Sequence, residues 1–67
     1  MEEIRDCGGK LVCMANGQTG VIERLTSKDR IYISLPVGGK FAFETKDAYT
    51  MIERINDKLF YVNSYPN

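Results

Sequence analysis

Three sets of residues in this chain of 67 have the types and spacing that chemistry uses. Glu23 and Glu53 stand in the same tripeptide, Ile-Glu-Arg, at two places. Paired carboxylates in different environments can divide general acid and base roles across a cleft. Cys7 and Cys13 are the only thiols, and Gly8-Gly9-Lys10 and Gly38-Gly39-Lys40 look like fragments of a phosphate-cradling loop.

Each of these has a plainer structural reading. Glu23 and Glu53 are each followed by an arginine, and adjacent residues of a strand face opposite ways. They are therefore expected as solvent-facing charges, paired across strands with groups such as Lys10 and Lys40. Two cysteines without a single His do not make a four-ligand zinc site from one chain, and a reducing compartment disfavours a disulfide. Cys13 lies in an apolar strand pattern and is expected as a small core residue, whereas Cys7 beside two glycines is a more exposed thiol with no activating neighbour. A phosphate loop needs a longer glycine-rich segment between a strand and a helix, so these glycines are read as turn residues. No catalytic, cofactor-binding or metal-binding residue is assigned and no cofactor is expected; an enzyme is not expected either, since the cysteines lack a partner base.

Nine Lys and Arg balance nine Asp and Glu, so there is no net field to draw the protein onto nucleic acid or an anionic membrane. No apolar run approaches the ~18 residues that a spanning helix requires. The segment MEEIRDCGGK has neither the basic stretch nor the apolar stretch of a secretory signal, which sets the expected location as cytoplasmic. At 43% apolar and 27% charged residues the chain has globular composition, and its length allows one small domain with a modest core. The size matches the small proteins that bacterial and phage genomes encode in number.

The elements that must position these residues show an internal repeat. GGKLVCMANGQTGVIERL, from Gly8, lies without a gap over GGKFAFETKDAYTMIERI, from Gly38, with six identities in eighteen residues. Leu11 and Cys13 meet Phe41 and Phe43, and Leu25 meets Ile55. Closing the next turn by two residues continues the match, setting Arg30-Ile31-Tyr32-Ile33 over Lys58-Leu59-Phe60-Tyr61. Two such units, each apolar on one face, would cover one another as a pseudo-twofold pair.

Asn16-Gly17 accepts the positive φ angles of a type I′ turn, so Lys10 to Ala15 and Gln18 to Leu25 are predicted as a hairpin. Lys46-Asp47 holds the same place in the second copy. Lys40 to Thr45 alternates as a strand, and Ile31 to Leu35 forms another, ended by Pro36. Asn56-Asp57 makes a tight turn into a last strand, Lys58 to Asn63. The helix formers in Val21 to Arg30 allow a short helix, but the strand formers in the counterpart Tyr49 to Ile52 favour strand. The expected fold is all-β: a small six-stranded antiparallel barrel or sandwich built from two three-stranded meanders, 8–35 and 38–63, in a single domain 1–67 with a flexible arm 1–7 and a tail 64–67.

Two surfaces follow. Arg24, Lys28 and Arg30 with Arg54 and Lys58 are the densest basic set; a groove that binds nucleic acid would use Arg24, Arg30, Arg54 and Lys58, with Tyr32 and Phe60 as stacking surfaces. Tyr61 and Tyr65, near the chain end, suit a protein interface. The leading expectation is a non-enzymatic module that binds a protein or a second copy of itself as a homodimer, because an unclosed sheet leaves edges to be paired. A nucleic-acid-binding small barrel is the alternative, and no membrane partner is expected.

Overall fold

The computed structural model describes all residues, Met1–Asn67, and contains seven strands and no helix. In chain order they are β1 Glu2–Arg5, β2 Leu11–Ala15, β3 Val21–Leu25, β4 Arg30–Ser34, β5 Lys40–Glu44, β6 Ala48–Arg54 and β7 Phe60–Pro66. They form two antiparallel sheets, β1-β2-β3-β4 and β5-β6-β7. Neither sheet closes on itself, so the molecule is a two-sheet arrangement and the barrel option falls away. With no helix present, none is long and apolar enough to cross a membrane.

Five hairpin turns are built in one way. Asp6, Asn16, Thr26, Thr45 and Asn56 each open a turn, and the side-chain oxygen of each accepts two backbone N–H groups further along the turn. These residues favour turns because a short polar side chain satisfies backbone donors that the sheet ladder leaves free. The sixth connection, between the sheets, is a turn from Pro36 to Gly39, in which Gly39 N–H donates to Pro36 O at 2.8 Å and Gly38 takes a φ of 86°.

The Asn16-Gly17 hairpin differs from the type I′ expectation. Neither residue has positive φ; the left-handed residue is Gly20, at 78°. Gly20 N–H donates to Asn16 O, and Asn16 N–H to Val21 O, closing a longer loop. Gly20 is also closely packed between the sheets: a side-chain carbon there would collide with Leu35 O and stand 2.5 Å from Arg54 Nη1.

The core draws on both sheets. Ile4, Cys13, Ala15, Ile22, Leu35, Ile52 and Phe60 form one buried cluster, flanked by Val12, Ile33 and Phe43. Strand β6 is the cleanest element, alternating buried and half-buried along its whole length, with Ala48, Thr50, Ile52 and Arg54 inward. The first residues are not a flexible arm: Glu2–Arg5 pairs with β2 as an edge strand because Ile4 fills a core position opposite Cys13. That strand is the seventh, one more than expected. The tail is corrected likewise, since Ser64–Pro66 belongs to β7 and pairs with Ala48–Thr50.

The two Ile-Glu-Arg tripeptides have corresponding cross-strand partners. Ile22, Glu23 and Arg24 face Ile33, Tyr32 and Ile31, while Ile52, Glu53 and Arg54 face Val62, Tyr61 and Phe60. Ile22 and Ile52 are both fully buried. The equivalent turn is one residue shorter in the second sheet, not two, which brings Tyr32 over Tyr61 instead of over Phe60. The leading strands do not correspond. Glu23 pairs with Met14 in β2, whereas Glu53 pairs with Lys40 in β5. The two Gly-Gly-Lys triplets therefore occupy different places, and the correspondence is confined to the pairing of β3 with β4 and of β6 with β7.

Candidate functional site

The residues singled out in the sequence separate into three environments. Arg24, half-buried on β3, lays its guanidinium over the ring of Phe43 at 4.7 Å from the centroid, one sheet reaching the other. Arg54 is 8% exposed. Its Nη1 donates to Leu35 O at 2.9 Å and its Nη2 to Gln18 O at 2.9 Å and Gly17 O at 3.2 Å. This side chain ties β6 to the β2–β3 loop and to the end of β4, so it leaves the surface set. A buried cation held by carbonyl dipoles is an assembly device, since its bond to Leu35 O is buried and that acceptor would otherwise be left unsatisfied.

Arg30 and Tyr32 lie on the outer face of the first sheet. Arg30 Nε is 3.7 Å from Glu23 Oε1, and the Tyr32 hydroxyl, followed by Glu23, raises the Arg30 guanidinium above its usual value. Lys58 is exposed in the β6–β7 turn, with its backbone against Gly17. Lys28 is exposed in the β3–β4 turn, and Phe60 is buried in the core and offers no stacking surface. The basic set thus has two members turned inward and the others divided between the β3–β4 hairpin and the β6–β7 turn.

Tyr61 and Tyr65 have a different setting. Directly opposed residues of an antiparallel pair share a face, so the register of the second sheet defines its outer surface as three rows. Lys40, Glu53 and Tyr61 form one row, Ala42, Met51 and Asn63 the next, and Glu44, Tyr49 and Tyr65 the third. The charges lie on β5 and at Glu53. The β7 margin is Tyr61, Asn63 and Tyr65, polar but uncharged. Tyr65 stacks on Tyr49 with ring centroids 5.2 Å apart.

Tyr49 and Met51 are members of this face that the sequence reading left out. The signal for them is the alternation in Ala48–Arg54: once Ile52 is inward, Tyr49, Met51 and Glu53 must be outward. The stack on Tyr65 depends on the pairing of β6 with β7, which no local pattern reveals.

The largest concavity, about 480 Å³, is lined by Asp6, Cys7, Gly8, Lys10, Asp47, Ala48 and Pro66. It holds the exposed Cys7 thiol. The one ammonium in it, Lys10 Nζ, lies 3.7 Å from Asp47 Oδ2. Cys13 is buried, and burial pushes its thiol up to about 11 despite the opposing pull of Arg24. Glu23 and Glu53 lie in separate sheets, and no three His, Cys, Asp or Glu side chains gather as metal ligands. What remains as a candidate site is the tyrosine face of the second sheet, a surface for contact. No family model matches this chain, and comparison with curated proteins and with solved structures finds no match.

Proposed function

We propose that the protein is a non-enzymatic interaction module whose contact surface is the outer face of β6 and β7. The observation that carries the reading is the placement of Tyr49, Tyr61 and Tyr65 with Met51 and Asn63 on one side of one sheet. Tyr61 and Tyr65 are 52% and 49% exposed. Tyrosine contributes large contact area with few rotatable bonds and a hydroxyl that adapts to polar partners, which is why it is enriched at protein interfaces. An uncharged margin also has little desolvation cost when a partner covers it.

The nucleic-acid alternative has less support. It needs a continuous cationic track, and two of its four cations, Arg24 and Arg54, are committed between the sheets. The test is a comparison of capture from the protein's own cells by the wild type and by the double variant Tyr61→Ser, Tyr65→Ser, with Tyr32→Ser as control. The reading expects a protein retained by the wild type and by Tyr32→Ser and lost from the double variant. Identical capture by all three, or salt-sensitive recovery of nucleic acid, would contradict it.

A further inference from the structure

The four sheet edges are not alike. Strand β1 carries Glu2, Glu3 and Arg5 and has a register irregularity between Ile4 and Arg5; β4 begins with Arg30; β5 has Lys40 and Glu44. Charges and irregularities on an edge are the usual guards against pairing with another chain. Strand β7, one of the two longest, has neither: its seven residues, Phe60–Pro66, include no charged side chain, and its pairing with β6 runs without a break.

The backbone of β7 faces outward in a defined phase. Leu59 O accepts from Ile55 N–H at 2.9 Å, and Asn67 N–H donates to Asp47 O at 3.2 Å. Odd-numbered residues therefore turn their peptide groups toward β6, and Phe60, Val62 and Ser64 turn theirs away, since the two directions alternate along an antiparallel strand. Pro66, which has no N–H, falls in the outward set, the position an edge proline takes. No other element bonds to these outward groups: the one neighbouring contact, from Cys7 N–H to Ser64 Oγ, reaches the side chain.

The stretch Tyr61-Val62-Asn63-Ser64-Tyr65 is close to a palindrome about Asn63. We propose that β7 pairs antiparallel with β7 of a second copy of this chain, about a twofold axis at Asn63, joining the two three-stranded sheets into one of six strands. This rests on the reading of this sheet as a protein-contact surface and names the partner. A twofold axis requires that the residue opposite position i be the one equally far beyond the centre, so Asn63 meets Asn63, Val62 meets Ser64, and Tyr61 meets Tyr65. Val62 and Ser64, whose N–H and C=O point outward, then bond to each other twice over, and Phe60 N–H finds the Pro66 carbonyl. Any other centre leaves part of the seven-residue strand unpaired. The stack of Tyr49 on Tyr65 is extended by Tyr61 of the other copy on the same face, a favourable cross-strand pair. With a net charge of zero the two copies meet without overall repulsion.

The test uses the full chain in a Cys7→Ser background. At the centre, Asn63→Cys brings two thiols opposite each other at a narrow, non-hydrogen-bonded pair, within disulfide reach. Under mild oxidation it is expected to form a covalent dimer, while Tyr32→Cys on the other sheet does not. Tyr61→Cys and Tyr65→Cys are each expected to form no disulfide-linked dimer alone and to cross-link when mixed. Sedimentation from low micromolar to submillimolar concentration is expected to show a reversible dimer, and Asn63→Lys to move its midpoint up by at least about tenfold, because like charges would be directly opposed. Asn63 is exposed, so an unchanged circular dichroism spectrum checks that the variants fold. A wild-type mass that stays monomeric throughout, or cross-linking at position 63 no greater than at position 32, overturns the inference. A dimer indifferent to Asn63→Lys overturns this edge while leaving self-association, and with it the interaction reading, in place. A monomer leaves that reading to the tyrosine variants and their capture of another protein.

Discussion

The guanidinium of Arg54 and the carbonyl of Leu35, 2.9 Å apart, join the second sheet to the end of the first. The same arginine reaches Gly17 and Gln18 in the β2–β3 loop. Its counterpart in the repeated tripeptide, Arg24, also points between the sheets but rests on an aromatic ring. Two residues with equal sequence context thus reach across by different means, and the difference can be measured.

Arg54→Ala is expected to cost about 3 kcal/mol, because it strands the buried Leu35 carbonyl, breaks two further bonds to the β2–β3 loop and opens a void. A domain of this length has on the order of 5 kcal/mol to lose, so the variant is expected to be largely destabilised. Arg24→Ala removes a half-exposed cation–π contact and is expected to cost about 0.5–1 kcal/mol. Urea unfolding midpoints of the two variants check the ranking, and equal midpoints would remove the assembly role from Arg54.

Gly20 is the second member of that junction. Gly20→Ala would force a left-handed φ of 78° on a residue with a side chain and press it against Arg54 and Leu35. A loss of about 3 kcal/mol is expected. Gly9→Ala has the same backbone demand, at 86°, but open space around it, and is expected to cost about 1–2 kcal/mol. Thermal unfolding of the pair separates the steric cost from the backbone cost.

How much of this could be read from the chain follows from which interactions are local. The turns were legible at Asn16-Gly17, Pro36 to Gly39 and Asn56-Asp57, because short polar residues, Gly and Pro act on their own backbone. Alternation placed the strands read at Lys40 to Thr45 and Ile31 to Leu35 to within a residue of the observed Lys40–Glu44 and Arg30–Ser34, and Val21–Leu25 proved to be strand. What escaped is what depends on the other sheet. Glu2–Arg5 has one apolar residue in four, too few to announce a strand, and is held in place by the core position of Ile4. Arg54 resembles any surface arginine until the carbonyls around it are known. Identity between the two Gly-Gly-Lys segments is not matched by equal pairing, whereas the Ile-Glu-Arg tripeptides meet corresponding partners across a turn that differs by one residue. The contact face was half visible: Tyr61 and Tyr65 stood out, and Tyr49 and Met51 joined them only through the pairing of β6 with β7.

The cysteines differ in reactivity. A thiol with a pKa near 11, as for Cys13, is thiolate in about one molecule in a thousand at pH 8. Cys7 is exposed. Titration with a chromogenic disulfide reagent is expected to give one fast equivalent in the native protein and two after denaturation. Burial raises the folded value, so the contribution of neutral Cys13 to stability is intact below its ordinary 9.0 and is lost as the pH climbs through about 11. Unfolding midpoints across that window are expected to fall more steeply for the wild type than for Cys13→Ala.

The turn-opening side chains each satisfy two backbone donors. Asn56→Ala removes the acceptor for Lys58 N–H and Leu59 N–H and is expected to cost about 1 kcal/mol, whereas Asn56→Asp, which keeps the oxygen, is expected to cost less. Equilibrium unfolding distinguishes the two.

The claim that the outer face of the second sheet is the contact surface is tested most directly by tyrosine nitration read out by mass spectrometry. Tyr32, Tyr61 and Tyr65 are similarly exposed, at 60%, 52% and 49%, so each is its own control in dilute protein. As protein concentration rises, or when extract from the native cell is added, Tyr61 and Tyr65 are expected to lose reactivity while Tyr32 keeps it. Equal reactivity of all three under every condition, or protection of Tyr32 alone, would contradict the account.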